Sequence, residues 1–356
     1  MNAKKAYNKS LIFWLTITHL LLGYLTFAQQ INVNDSFTAQ QLIENNLVQG
    51  CVEVSNINST INGQVDGFQS FGYFERASSN FPFENGIILS TGQATSAGNT
   101  VNTSALNEGS DSWATDPDLE AALGINNTLN ATSIEFDFIS TSSTISFNYI
   151  LASEEYFADY PCQYSDGFAF LIKETGSSNP YQNIALVPGT STPVNTNTIH
   201  DEIVGFCPEE NGNYFEGYNM GDTNFNGRTT VMTASANITP NVQYSIKLIV
   251  ADQTDRNFDT AVFIEGNSFT DSVDLGEDIT TCDASVTLDA NTNNPQATYQ
   301  WFLDGNILSS ETNSTLNVTA DGNYTVEITV PLNADFCSFQ DSINVTLNTI
   351  QNGPTI

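Results

Sequence analysis

The sequence predicts an all-β chain, a jelly-roll-like β-sandwich with minor helices followed by a smaller β-sandwich, and three observations point there. Apolar residues alternate with period two in several runs, Gly, Asn and Pro punctuate those runs, and only 13% of the 356 residues are charged. The polar surface must then be built from Asn, Thr, Ser and Gln, which favour strands and turns over long helices. Hydrophobic residues make up 40% of the chain, with 23 Phe, 13 Tyr and 3 Trp, enough to fill cores and to argue against intrinsic disorder.

Taken in order, Lys4, Lys5 and Lys9 precede an apolar run from Leu11 to Phe27. This reads as a secretory signal, residues 1–28, cleaved before Gln29. As a membrane anchor the run is short and interrupted by Thr16, Thr18 and His19. A helix is expected from Phe37 to Val48, capped by Asp35 or Ser36, and a second from Asp116 to Leu123 stopped by Gly124. The strands follow from alternation: Ile134, Phe136 and Phe138; Ile145, Phe147, Tyr149 and Leu151; Phe168, Phe170 and Ile172; Tyr244, Ile246, Leu248 and Val250. Each set lies on one face, as expected of sandwich strands with one buried side. The character changes at 269–276, so the first domain is placed at 29–270. Short strands in SVTLDA, TYQWFLDG, STLNVTA, GNYTVEITV and DSINVTL predict an Ig-like sandwich over 271–350, with 351–356 a tail or truncated linker. There Trp301 is the expected core aromatic and Tyr324 resembles a tyrosine corner.

The formal net charge is −32, with 40 acids against 8 bases. Without the signal, Arg76, Lys173, Arg228, Lys247 and Arg256 remain against all 40 acids, which leaves −35. Such a surface repels phosphate, so no nucleic-acid partner is expected, and it calls either for bound cations or for a saline medium. His200 is the one histidine left, which excludes a His-rich zinc site and a histidine-dependent hydrolase. No later segment is apolar enough to be a transmembrane span. A secreted chain can form disulfides, and the economical pairing is Cys162 with Cys207 and Cys282 with Cys337. Cys51 is then left over or pairs between chains.

Two clusters of acids follow strong strands. Glu154 and Glu155 lead into Asp159 and Asp166, and Asp252, Asp255 and Asp259 lie in ADQTDRNFD. If both strands end at the same edge, Glu154, Glu155, Asp166, Asp252 and Asp259 form an oxygen-rich calcium site, calcium being the expected cofactor. The plainer reading has these carboxylates accept from loop amides. GDTNFNG, with Asp222, Asn224, Asn226 and Gly227, matches half of a calcium loop, but position twelve is Thr233 rather than Glu, and an ordinary turn is favoured. Tyr156, Tyr160 and Tyr164, with Phe157 nearby, are candidates for stacking on a surface glycan, or for contacting a protein ligand. A glycosidase pairing of Glu155 with Asp252 depends on their separation. No G-x-S-x-G, phosphate loop or dinucleotide fingerprint is present, so the chain reads as non-enzymatic.

Several words in order carry a family resemblance: GIILSTG at 86–92, IEFDF at 134–138, ISFNYILASEEY at 145–156, SDGFAFLI at 165–172, NIALVPG at 183–189, GRTTVMTA at 227–234, then YSIKLIVAD and FDTAVFI. On these, residues from about Gly50 to Phe269 resemble the choice-of-anchor L family of bacterial surface proteins. CDASVTLDA, YQWFLDG and GNYTVEIT are similar to Ig/PKD-like modules of gliding and type IX-secreting bacteria. The resemblance implies a secreted cell-surface module for adhesion or extracellular recognition. In the family a variable C-terminal sorting domain usually follows; none is visible before Ile356, so the sequence reads as a fragment or as a protein attached by other means. The alternatives are a glycan-binding accessory, a glycan-active enzyme, or a structural spacer in a larger adhesin.

Overall fold

The computed structural model describes residues 30–271, 273–332 and 335–348. The expected signal segment and the 351–356 tail lie outside the described residues.

The first unit is a sandwich of two sheets. One runs in the order Asn32–Asn34, Phe71–Glu75, Asn85–Ser90, Thr260–Glu265, Thr144–Ser153, Gly227–Thr229 and Phe215–Tyr218, with Met232–Asn237 and Thr270–Asp271 also paired to Thr144–Ser153. The other runs Glu53–Asn58, Thr128–Ile139, Gln243–Gln253, Gly167–Glu174 and Gln182–Asn183. Every pairing within these two sheets is antiparallel. The alternating residues meet between them: Phe136, Phe138, Phe170, Ile246 and Leu248 of one sheet pack with Phe147, Tyr149, Leu151 and Val262 of the other. Phe147 and Phe170 touch edge to face at 4.6 Å between centroids, a geometry that suits the ring quadrupoles.

The strands are not buried on one face only. Ile150, Ala152 and Phe263, with Phe74 of the same sheet, turn outward from the larger sheet and are covered by Phe81 and Phe225 from the connecting loops. Ala169, Leu171, Ile249 and Ala251 are covered by Leu119 of a short helix. Double burial explains why SFNYILAS and KLIVAD read as nearly continuous apolar runs. That helix, Pro117–Leu123, ends at Gly124 with φ 67°, the stop expected from sequence, and Asp116, expected as its first residue, is its cap. Lys247 fastens it to the sheet through Asp116 at 3.0 Å and Asp118 at 2.6 Å.

The earlier helix starts later than expected. Its cap is Thr38 rather than Asp35 or Ser36, because Thr38 and Gln41 form a reciprocal capping box, and after Ala39–Leu42 it widens into a π turn over Ile43–Leu47.

The second unit has a five-stranded sheet, in the order Ile279–Thr281, Asp335–Leu347, Gly322–Leu332, Thr298–Leu303 and Asn306–Leu308, and a two-stranded one, Val286–Asp289 with Thr315–Val318. Trp301 is fully buried in its core, and Tyr324 donates to Ala320 O at 2.9 Å, the tyrosine-corner bond.

One disulfide expectation is corrected. Cys162 pairs with Cys207, but Cys337 pairs with Cys51, and Cys282 is a free, exposed thiol. Cys51 sits among the buried residues of the second core, with Leu288, Trp301 and Val326, so the first unit inserts a residue into the second and the bond closes there.

Candidate functional site

The two acidic clusters meet. Antiparallel pairing brings the C-terminal ends of Thr144–Ser153 and Gln243–Gln253 to the same end of the sandwich as the starts of Gly167–Glu174 and Thr260–Glu265. Glu154, Glu155, Asp166, Asp252 and Asp259 are all buried there. Asp252 follows an irregularity in the ladder: it pairs with Leu129 while Val250 pairs with Thr132, so Asn130 and Ala131 together oppose the single residue Ala251. Asn130 takes φ 49° at this bulge, a left-handed conformation that Asn tolerates, and its side chain turns to Asp252.

Asp166 accepts from Gln253 N at 3.1 Å and from the Thr260 hydroxyl at 2.6 Å. Glu155 Oε2 accepts from Asp166 N at 3.1 Å and from Thr196 at 3.2 Å. Asp259 takes Glu108 N at 3.0 Å, and Glu154 takes Asn226 Nδ2 at 2.6 Å. The plain hydrogen-bonding reading thus accounts for these four. It accounts least well for Asp252, which is 0% exposed: Oδ2 accepts from Asn130 Nδ2 at 2.9 Å, the Thr91 hydroxyl also favours the charged carboxylate, and Oδ1 has no hydrogen-bond partner at normal distance.

Burial pushes all five carboxyls up. Glu154 and Glu155 rise to about 7, and Asp166, Asp252 and Asp259 stand well above the ordinary aspartate value, each aided by a neighbouring acid. Glu155 and Asp252 act on Asp166, Asp259 acts on Asp252, and Glu108 and Glu154 act on Asp259. Among the described residues every base is engaged elsewhere: Arg76 with Glu84, Arg228 with Glu216 and Asp222, Lys247 with Asp116 and Asp118, Arg256 with Asp111, and Lys173 over the Tyr181 ring. Two ionised carboxylates about 4 Å apart repel by about 4 kcal/mol even at an effective dielectric of about 20, so this cluster needs protons or a cation to be neutralised.

Beside it, on the surface, Phe157, Tyr160, Tyr164 and Phe258 form an aromatic cluster. Tyr160 lies edge-on to Phe258 at 5.0 Å and to Tyr164 at 5.4 Å, and Phe157 stacks on Phe258 at 6.1 Å. A cavity of about 190 Å³ opens between Tyr160, Tyr164, Phe258, Glu155, Gln253 and Asn257. Phe157 and Tyr164 are about half exposed. Tyr156, grouped with them in the sequence, is not part of this surface. It is 1% exposed, donates to Ile199 O at 2.9 Å and packs on Phe215, so no ligand ring can reach it. The Cys162–Cys207 disulfide anchors the Tyr160–Cys162 turn beneath the cluster.

Asp252 is wholly buried, so it cannot straddle a sugar with Glu155 as a glycosidase pair. In GDTNFNG, Asp222 is spent on Arg228 at 2.7 Å, and Asn224 pins the neighbouring loop by donating to Ser96 O and Thr100 O. Asn130, Glu108 and Phe258 were not singled out in the sequence. Asn is so frequent there that a functional Asn carries no signal, and Phe258 lies far from the tyrosines along the chain.

The residues that carry this arrangement fall within a single match: residues 30–270 fit the Choice-of-anchor L domain. The chain belongs to the Choice-of-anchor L domain family. In this family member the acids, the aromatic cluster and the Cys162–Cys207 bridge all lie within the matched segment. No curated protein matches the chain. Among solved structures, the adhesin domain of Epf from Streptococcus pyogenes is similar at 10% identity over 65% of this chain and 80% of that one, with a TM-score of 0.19.

Proposed function

We propose that this Choice-of-anchor L protein is a secreted, non-enzymatic module of the cell surface that acts in adhesion or extracellular recognition, with the Ig-like second unit giving reach. The observation that carries the reading is the exposed aromatic cluster around the cavity beside Tyr160, Tyr164 and Phe258, rimmed by the amides of Gln253 and Asn257. Aromatic faces beside amide and carboxyl groups suit a sugar ring, which offers an apolar face for stacking and hydroxyls for hydrogen bonds. The cavity is below the about 300 Å³ of a typical drug-sized pocket, which suits one ring of a surface glycan. Two disulfides support an oxidising, extracellular setting.

A glycan array probed with the full chain tests this, followed by calorimetry on the best hit. The Tyr164→Ala and Gln253→Ala variants are each expected to weaken binding about tenfold, the loss of one stacking or hydrogen-bond contact of about 1.4 kcal/mol. Absence of any glycan binding would overturn the ligand class. Glycan turnover abolished by Glu155→Gln would overturn the non-enzymatic reading.

A further inference from the structure

Three buried oxygens without a hydrogen-bond partner belong to side chains that touch one another or the short segment Glu108 to Ser110. Asn130 Nδ2 is bonded to Asp252 and approaches Glu108 O at 3.5 Å, while Asn130 Oδ1 and Asp252 Oδ1 are both buried without a partner. Both residues are 0% exposed. A third buried oxygen without a partner, Asp66 Oδ2, belongs to the carboxylate that accepts from Ser110 Oγ at 2.6 Å. Side chains crowd the segment: a Cβ on Gly109 would run into the Asn130 amide, and the Glu108 carboxylate lies with that of Asp259 where a Cβ on Gly92 would be.

Orphaned buried acceptors are rare, because each loses its hydration without replacement. All three are oxygens, and all three need a donor or a cation. A water would satisfy two of them but would leave the acids beside them to be neutralised by protons alone, since no basic side chain among the described residues is paired with any of them. A hard cation does both.

We propose that a calcium ion binds at the Asn130 bulge, taking Asp252 Oδ1 and Asn130 Oδ1 as ligands, with Asp66 and peptide oxygens of the Glu108–Ser110 segment completing its shell. Among the described residues no three Asp, Glu, His or Cys side chains are grouped to cage a metal by themselves. A mixed set of carboxylate, amide and peptide oxygens is what calcium accepts, with six to eight ligands in irregular geometry. Magnesium demands a near-ideal octahedron, and zinc favours imidazole and thiolate ligands, neither of which belongs to the set at the Asn130 bulge. The site is internal, so it braces the loops beneath the aromatic cluster. It does not depend on what that cluster binds, and either proposal can fail alone.

Trp113 provides a reporter. Its carbonyl accepts from Asn130 N at 3.1 Å, and its indole donates to Ala131 O at 2.7 Å, next to the proposed ion. Terbium, which occupies calcium sites and emits when a nearby indole is excited, is added to the chelator-treated full chain. The expected result is sensitised emission displaced by calcium, with a calcium-specific rise in the unfolding midpoint. Asp252→Asn, nearly isosteric, weakens calcium binding by at least about tenfold. Trp113→Phe loses the emission and keeps the midpoint rise. No calcium-displaceable emission from the wild-type chain, an equal midpoint rise with magnesium or sodium chloride, or an Asp252→Asn variant that answers calcium as the wild type does would each overturn the proposal. The wild-type titration decides the matter even where a variant fails to fold.

Discussion

At the scale of single residues, the buried acids make the folded protein less stable at neutral pH than at acid pH. Glu154 and Glu155 titrate near 7 when folded, above the ordinary glutamate value, with burial as the main cause. A group whose folded pKa is raised binds more protons folded than unfolded. Its stabilising contribution is complete below the unfolded value, near 4.5, and is lost as pH rises through about 7. In chelator the urea midpoint is therefore expected to fall between pH 5 and pH 8, and a midpoint that rises over that interval would contradict the burial of these acids. The positions of Glu154, Glu155, Asp166, Asp252 and Asp259 were legible in the sequence because they flank the ends of strongly patterned strands. Asn130 and Asp66 were not, since their roles come from a ladder irregularity and from contacts across the chain.

At the scale of elements, the strands were legible from period two, whereas burial of their outer faces was not, because the covering residues come from distant loops and a short helix. Lys247 shows what that cover costs. It carries its charge under the Pro117–Leu123 helix and is the partner of Asp116, which is itself buried at the helix cap. Removing one partner of a buried pair leaves an uncompensated charge, so Lys247→Met is expected to destabilise the protein by about 3 kcal/mol, read as a shift in urea midpoint at constant slope. The double variant Lys247→Met, Asp116→Asn is expected to recover part of that loss, because the orphaned carboxylate goes with it. Gly92 is a second point of tension: Gly92→Ala drives a methyl group into the Asp259 carboxylate and is expected to cost about 1–3 kcal/mol by the same measurement.

At the scale of the whole molecule, the Cys51–Cys337 bond joins two units whose cores are otherwise separate, across 286 residues of sequence. Cysteine spacing could not reveal it. Nearness in sequence favoured Cys282 for Cys337, while the fold carries Cys51 into the second core, where it is fully buried. A hydrogen bond from Asn294 to Thr141 O at 3.0 Å is a further buried contact between the units. A cross-link over so long a loop restricts the unfolded chain strongly, by an amount that commonly reaches about 2–5 kcal/mol. The intact protein is therefore expected to unfold in one calorimetric transition. Replacing both cysteines, Cys51→Ala with Cys337→Ala, is expected to resolve two transitions, with the second unit melting first because it has the smaller core and loses the covalent tie. Calorimetric and van't Hoff enthalpies that agree in the double variant would mean that the remaining contacts alone couple the units, and the disulfide would then be a brace rather than the joint.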